Sequence, residues 1–290
     1  MPQEQAPRRG YLHEEFRLFH LKDAAMERVD WHYHDFHKIL VFLGGHASYA
    51  IEGQSYALEP GDMVLVPRGS IHRPEVQPGL RYERYVLYVS PGFLKRASSP
   101  ATDLELCFRR AAQDYSYVLR PERAEEMTRL PQALSEALAA PGYGQDLMCQ
   151  SLLVQLLVEV NRDLEDHRLR YVTSAACDEK IVSILKYLNL HLSQSFSIDD
   201  LARQFYISKY YMMRRFKAET GHTIHGYLTE KRLLLAREKI AAGTPLSQVS
   251  EACGFGDYST FSRAYKKRFG VSPNAPIPKS PGPIPQGPLD

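Results

Sequence analysis

No stretch of this chain is apolar for long enough to cross a bilayer; the best candidate, SLLVQLLVEV from Ser151, is broken by Gln155 and Glu159. The opening MPQEQAPRRG has no apolar core, so no secretory signal is expected. Cysteine is scarce too. Cys107, Cys149, Cys177 and Cys253 are scattered with no paired spacing, which fits reduced, packing thiols in a cytoplasmic protein. A large charge excess is also missing, since the net charge is +2. What remains is an ordinary soluble composition, 44% hydrophobic and 24% charged, and 290 residues allow two cores.

The small net charge hides an uneven distribution. From Asp178 to Ser272, 15 Lys and Arg stand against 9 Asp and Glu, a balance of +6, and the rest of the chain, 21 against 25, is left at −4. A basic region on a mildly acidic body suits docking on a polyanion.

Hydrophobic periodicity divides the chain further. From about Tyr11 to Pro91, short runs such as KILVFLGG, GDMVLVP and LRYERYVLYV, punctuated by Gly and Pro, predict strands of a small barrel or sandwich. From about Pro100 to Leu169 the period becomes helical. There Leu147, Met148, Leu152, Leu153, Leu156, Leu157 and Val160 form a stripe wide enough to cover the barrel and meet a second subunit. Residues 166–176 are polar and read as a linker, and the tail PNAPIPKSPGPIPQGPLD reads as extended or disordered.

Two helix pairs are predicted in the basic region. In the first, Ser197 and Asp200 start one helix, Ser208 caps the next, Met212 and Phe216 point inward, and Gly221 ends it. Tyr210, Met213, Arg214 and Lys217 then share the opposite face, which is suited to bases and phosphates. In the second, Thr244 caps with Pro245 at the first helical position, Gly254 and Gly256 turn the chain, and Asp257 caps a helix. Phe261, Tyr265 and Phe269 are expected inside, and Ser259, Ser262, Arg263 and Lys266 outside, with Tyr258 at the leading end. The helix between the pairs, about 20 residues or about 30 Å, nearly matches the roughly 34 Å between successive major-groove faces.

Specific residues strengthen this reading. They are Leu201–Ala202, S-x-x-x-M-x-R-x-F from Ser208 to Phe216, Thr220–Gly221, Tyr227–Leu228 and R-L-x-x-A from Arg232 to Ala236. Gly254–Phe255, F-x-R from Phe261 to Arg263 and FGVSP from Phe269 to Pro273 complete the set. The region resembles the AraC/XylS family of bacterial regulators. That resemblance implies base contacts from Tyr210, Met213, Arg214, Tyr258, Ser259, Ser262 and Arg263, and phosphate contacts from Lys209, Lys217, Lys266 and Lys267. The family's usual Tyr-Arg pair after Pro273 is replaced by NAPIPK.

Upstream, GDMVLVPRGSIH from Gly61 to His72 reads G-x5-P-x-G-x2-H, and His32 and His34 form H-x-H. Both resemble cupin motifs. Metal-binding cupins place a glutamate four residues after the second His, where this chain has Lys38, so no metal and no cofactor are expected. Strand alternation puts His34 and Lys38 on one face and His37 on the other. His32, His34, Lys38 and His72, with Arg73 and Arg84, read as an effector pocket offering donors and positive charge. A sugar or sugar acid, with an anionic group near Lys38, suits that chemistry, and Trp31 and Tyr49 are placed to stack on a ring.

The expected fold is α+β: a cupin-like β-barrel, then helices, then an all-α DNA-binding domain with two helix-turn-helix units. Its divisions are 1–10 disordered, 11–95 sensor barrel, 96–170 dimerisation helices, 171–177 linker, 178–272 DNA-binding domain and 273–290 proline-rich tail. Expected partners are double-stranded DNA, a small-molecule effector, RNA polymerase and a second copy of the chain, in a regulator that is not an enzyme and touches no membrane. A cupin metalloenzyme carrying a DNA-binding tail and an effector-free regulator with a vestigial barrel are the rivals. Stoichiometric iron or manganese would mark the first, and no melting shift with any ligand the second.

Overall fold

The structure, a computed structural model, describes residue 12 and residues 14–23, 29–77 and 79–275. The readings of residues 1–10 and of 276–290 as disordered or extended lie outside these. The chain divides into two compact units between Ala176 and Cys177.

The first unit is built on strands β1 (Phe16–Asp23), β2 (His37–Gly45), β3 (Ala47–Ile51), β4 (Gln54–Ala57), β5 (Met63–Val66), β6 (His72–Val76) and β7 (Tyr82–Val89). Helices α1 (Pro91–Ala97) and α2 (Leu106–Asp114), strand β8 (Val118–Pro121), helices α3 (Ala124–Ala139) and α4 (Gln145–Glu165) and strand β9 (Leu169–Tyr171) follow. The expected closed barrel is not formed. One sheet runs β1-β7-β2-β5-β8-β9, and β4, β3 and β6 lie in a second. The chain passes from one to the other at Gly45, whose φ of +116° and approach to the Arg81 carbonyl, 1.7 Å from where a Cβ would sit, admit only glycine. Glu52 and Gly53, both at positive φ, make the two-residue turn between β3 and β4.

The segment 96–170, read as helical, also supplies two strands. β8 pairs with β5 through Met63 and Leu119, and β9 pairs with β8. Their runs are too short for periodicity to detect, and pairing to an existing sheet edge overrides local propensity. Asp62, fully buried, fixes this corner by accepting from Arg120 Nε and Nη2, each at 2.7 Å, and from the Glu59 amide at 2.8 Å. Residues 171–177, read as a linker, are hydrogen-bonded to the first unit: Val172 donates to Val118 O and Ala175 to Ser55 O.

Helices α3 and α4 cover the larger sheet. Leu153, Leu156, Leu157 and Val160 of the α4 stripe are buried within the unit, whereas Leu147 and Met148 stay exposed, 64% and 58%. The seam between sheet and helices is apolar, lined by Leu18, Ile39, Val41, Leu87, Leu134 and Leu156 among others.

The second unit is all helical: α5 (Glu179–Leu190), α6 (Ile198–Gln204), α7 (Lys209–Thr220), α8 (Ile224–Ala241), α9 (Leu246–Ala252) and α10 (Tyr258–Phe269). Helix starts follow side-chain caps. Asp178, Ser197, Ser208, Thr223 and Asp257 each accept a backbone N–H. The exception is α9, where Pro245 rather than Thr244 holds the cap position and no side-chain cap forms. Along α8, Tyr227 packs edge-on against Phe216 of α7, while Leu233 and Ala236 join Val249, Cys253, Phe261 and Tyr265 in a second core.

Replacing Asp62 with Ala is expected to cost about 3 kcal/mol, because the Arg120 guanidinium loses a bidentate buried partner. Urea denaturation of the variant measures this; a loss below about 1 kcal/mol would mean that the ion pair of Arg120 with the Glu59 carboxylate, at 2.7 Å, suffices to hold the guanidinium.

Candidate functional site

Alternation along β2 decides what faces what. His37, Ile39 and Val41 turn toward the helices, where His37 Nε2 meets Glu105 at 3.0 Å and its ring packs on Phe108. Lys38 turns the other way, between the sheets, with its Nζ 5.5 Å from the Tyr49 ring centre on β3.

Three histidines gather beside Lys38. His32 and His72 form an isolated bridge, with ring centres 4.3 Å apart, and His34 lies 4.8 Å from His72 and 6.4 Å from His32. Phe36 stacks on His34 and Tyr49 on His72. All four polar residues are buried: His32 is 5% exposed, His34 2%, and Lys38 and His72 0%.

Each imidazole has its tautomer fixed. Nδ1 lies 2.9 Å from a backbone oxygen, that of Asp30 for His32, Phe36 for His34 and Ser70 for His72. A carbonyl oxygen only accepts, so Nδ1 carries the proton and Nε2 of the neutral ring presents a lone pair. All three Nε2 atoms are buried without a hydrogen-bond partner. Each such atom costs about 1–3 kcal/mol, which a ligand donor would recover.

Electrostatics keep the rings neutral. Burial, with Lys38 nearby, pushes His32 down to about 4 and moves His34 in the same direction. His72 is lowered by burial and then by His32, His34 and Lys38. Burial, followed by Arg84, holds Lys38 well below the usual lysine range. Within the set expected to offer donors and positive charge, the three histidines therefore offer Nε2 acceptors at neutral pH.

Arg84 lies on β7, buried, and donates to Asp23 at 2.7 Å and to the Tyr82 carbonyl at 3.2 Å. Arg73 is not brought to the cluster. It follows His72 on β6, so it faces the opposite side, bonds Glu75 and covers Trp31 at 4.5 Å. Among the described residues, no three His, Cys, Asp or Glu side chains are arranged to hold a metal ion.

In the second unit, the site is a pair of helix faces. On α7, Lys209, Tyr210, Met213, Arg214 and Lys217 are exposed, opposite buried Met212 and Phe216. Lys209 also pairs with Asp199 at 2.9 Å. On α10, Tyr258, Ser259, Arg263, Lys266 and Lys267 are exposed and Ser262 half-buried, opposite Phe261 and Tyr265. Phe269, expected inside, is only partly buried.

Three anchors escaped sequence reasoning. Asp178 caps α5 and accepts from Tyr211 Oη at 2.6 Å and Arg215 Nε at 3.2 Å, tying α7 to α5. Arg232 donates to the carbonyls of Leu192 and Gln194, both at 2.7 Å. Buried Arg268 pairs with Glu230, joining α10 to α8. Asp178 was detectable as a cap ahead of a helical run; Arg232 stood out as the start of the R-L-x-x-A motif but its carbonyl partners did not, and Arg268 carries no local signal. Beyond α10, Tyr258 Oη donates to Asn274 Oδ1 at 3.3 Å.

Comparison with known proteins follows these two regions. A family model described as an AraC-like ligand binding domain matches residues 18–157, and one described as a helix-turn-helix domain matches residues 201–275. The chain is 26% identical over 249 residues to the "Probable transcriptional regulator LumQ" of Photobacterium leiognathi, covering 84% of this chain and 90% of that one. It is 28% identical over 248 residues to the HTH-type transcriptional activator RhaS of Pectobacterium atrosepticum, covering 84% and 86%. A solved C-terminal domain of AraT from Geobacillus stearothermophilus is 29% identical over 33% of this chain and 82% of that domain, with a TM-score of 0.33.

The histidine values set a pH dependence. His32 titrates near 4 when folded and near 6.5 when unfolded, so between these values the unfolded chain binds the extra proton. Its contribution is complete above pH 6.5 and is lost as the pH falls toward 4. A His32→Gln variant is expected to show a shallower decline of Tm across that window than the parent. Parallel declines in both proteins would show that His32 does not carry the pH dependence.

Proposed function

The chain belongs to the AraC family of transcription regulators, and we propose that it binds promoter DNA through both helix pairs and answers to a small polar effector held between its sheets. The observation that carries the first part is that α7 and α10 each present a face of basic, aromatic and hydroxyl side chains while capped and packed on the other side. Such a face offers Arg for the guanine edge and Lys for phosphates. Helix α8, 18 residues or about 27 Å, sets the span between the two pairs, near the spacing of successive major-groove faces.

The second part rests on the three partnerless Nε2 atoms beside Lys38. Buried polar atoms in a native protein find partners, and a ligand with hydroxyl donors supplies them. A sugar or sugar acid has such donors, and control of carbohydrate or related metabolic genes fits it. An effector that prefers one state of the chain shifts promoter occupancy and contact with RNA polymerase by its differential affinity for that state. The exposed Leu147 and Met148 on α4 fit a homodimer contact, in the cytoplasm where promoter DNA is found.

Two outcomes test this reading. Arg214→Ala and Arg263→Ala are each expected to cost about 1–3 kcal/mol of specific binding, measured by titrating operator and scrambled duplexes. Equal loss on both duplexes would make these residues phosphate contacts. In a panel of sugars and sugar acids, the compound that raises Tm of the parent is expected to lose its effect on Lys38→Met, and an unchanged shift would take Lys38 out of the site.

A further inference from the structure

We propose that Lys38 is a covalent carbonyl-capturing residue, whose amine condenses with a short hydroxyaldehyde while the imidazoles of His32, His34 and His72 accept the ligand's hydroxyl hydrogens. The inference rests on the reading of this cluster as the effector site, and adds the chemical class and the bond.

The geometry gives each group a part. Lys38 sits in the middle of β2, facing Tyr49 across the gap between the sheets and fully enclosed. The charge acting on it is that of Arg84, which Asp23 and the Tyr82 carbonyl hold in place. A lysine this fully desolvated, with the Arg84 charge adding to the effect of burial, is driven toward the neutral amine, the form that attacks carbonyl carbon. Around it stand three imidazoles whose Nδ1 protons are committed to backbone oxygens, leaving lone pairs at Nε2. Such atoms take a proton from the attacking amine and return it, the work of a general base and acid.

The chemistry closes without an oxidant. The amine nitrogen bonds the carbonyl carbon as the carbonyl π pair moves to oxygen. One amine proton reaches that oxygen by way of an Nε2 atom, giving the carbinolamine. The second amine hydrogen and the hydroxyl leave as water, and the carbon–nitrogen double bond remains. One aldehyde is consumed and one water released per imine.

The surroundings also select the ligand. Enclosure of Lys38, His34, His72 and Tyr49 favours a small ligand, for which a short hydroxyaldehyde is the probe. Partnerless acceptors favour an aldehyde that bears hydroxyls over a plain alkyl aldehyde.

The full chain treated with limiting glycolaldehyde or glyceraldehyde and cyanoborohydride at about pH 6 tests this, followed by peptide mapping by mass spectrometry. At that pH an ordinary solvated lysine amine is protonated and unreactive toward the aldehyde. The expected result is reduced adduct on the Lys38 peptide at least 10-fold above any other, with propionaldehyde labelling it less. Adduct spread over exposed lysines, with Lys38 unmodified, overturns the proposal whether or not a Lys38→Met variant folds. If glycerol-like polyols raise Tm while Lys38 stays unlabelled, the imine is overturned and the effector site stands. If no polyol or aldehyde acts, both fail.

Discussion

Strand alternation along β2 is the constraint on which the first unit depends. One residue step separates His37, which serves the contact with α2, from Lys38, which serves the interior between the sheets. A slip of one residue would exchange their faces, placing Lys38 against Phe108 and Ile39 among the histidines. Pairing on both sides prevents the slip: Lys38 is in register with Val66 of β5 and with Tyr88 of β7. The buried polar cluster is therefore a product of register before it is a product of chemistry.

Burial then sets the chemistry. In water these imidazoles would be partly protonated and Lys38 fully so. Enclosed together, they are pushed toward their neutral forms, and backbone carbonyls choose the tautomer. A cluster that would read as cationic by composition becomes one of imidazole acceptors, with Lys38 pushed away from its charged form by the same burial. The second unit uses charge oppositely. Its Lys and Arg remain on solvated helix faces, and the charges that are covered, such as Arg268 and Asp178, have partners.

Much of the second unit was legible in the sequence because its signals are local. Ser197, Ser208 and Asp257 mark helix starts, Gly221 and Gly270 adopt positive φ at helix ends, and Met212, Phe216, Phe261 and Tyr265 keep helical spacing. The one cap misread, Thr244, lost to Pro245, whose fixed φ begins the turn without a side-chain bond. In the first unit the histidines and Lys38 were found by motif and alternation. Their charge state was not, since it depends on burial that no linear pattern reports. The failure of the sheets to close and the strands β8 and β9 depend on long-range pairing and were out of reach, whereas the turning away of Arg73 follows from alternation past His72 on β6.

On the proposed function, α7 and α10 of one chain read the same duplex. Methylation interference on an operator fragment bound by the full chain tests it most directly. Two major-groove patches about 10 bp apart on one face of the DNA for each bound chain, the first lost with Arg214→Ala and the second with Arg263→Ala, are predicted. A single patch per chain, unaffected by one of the two substitutions, would contradict it.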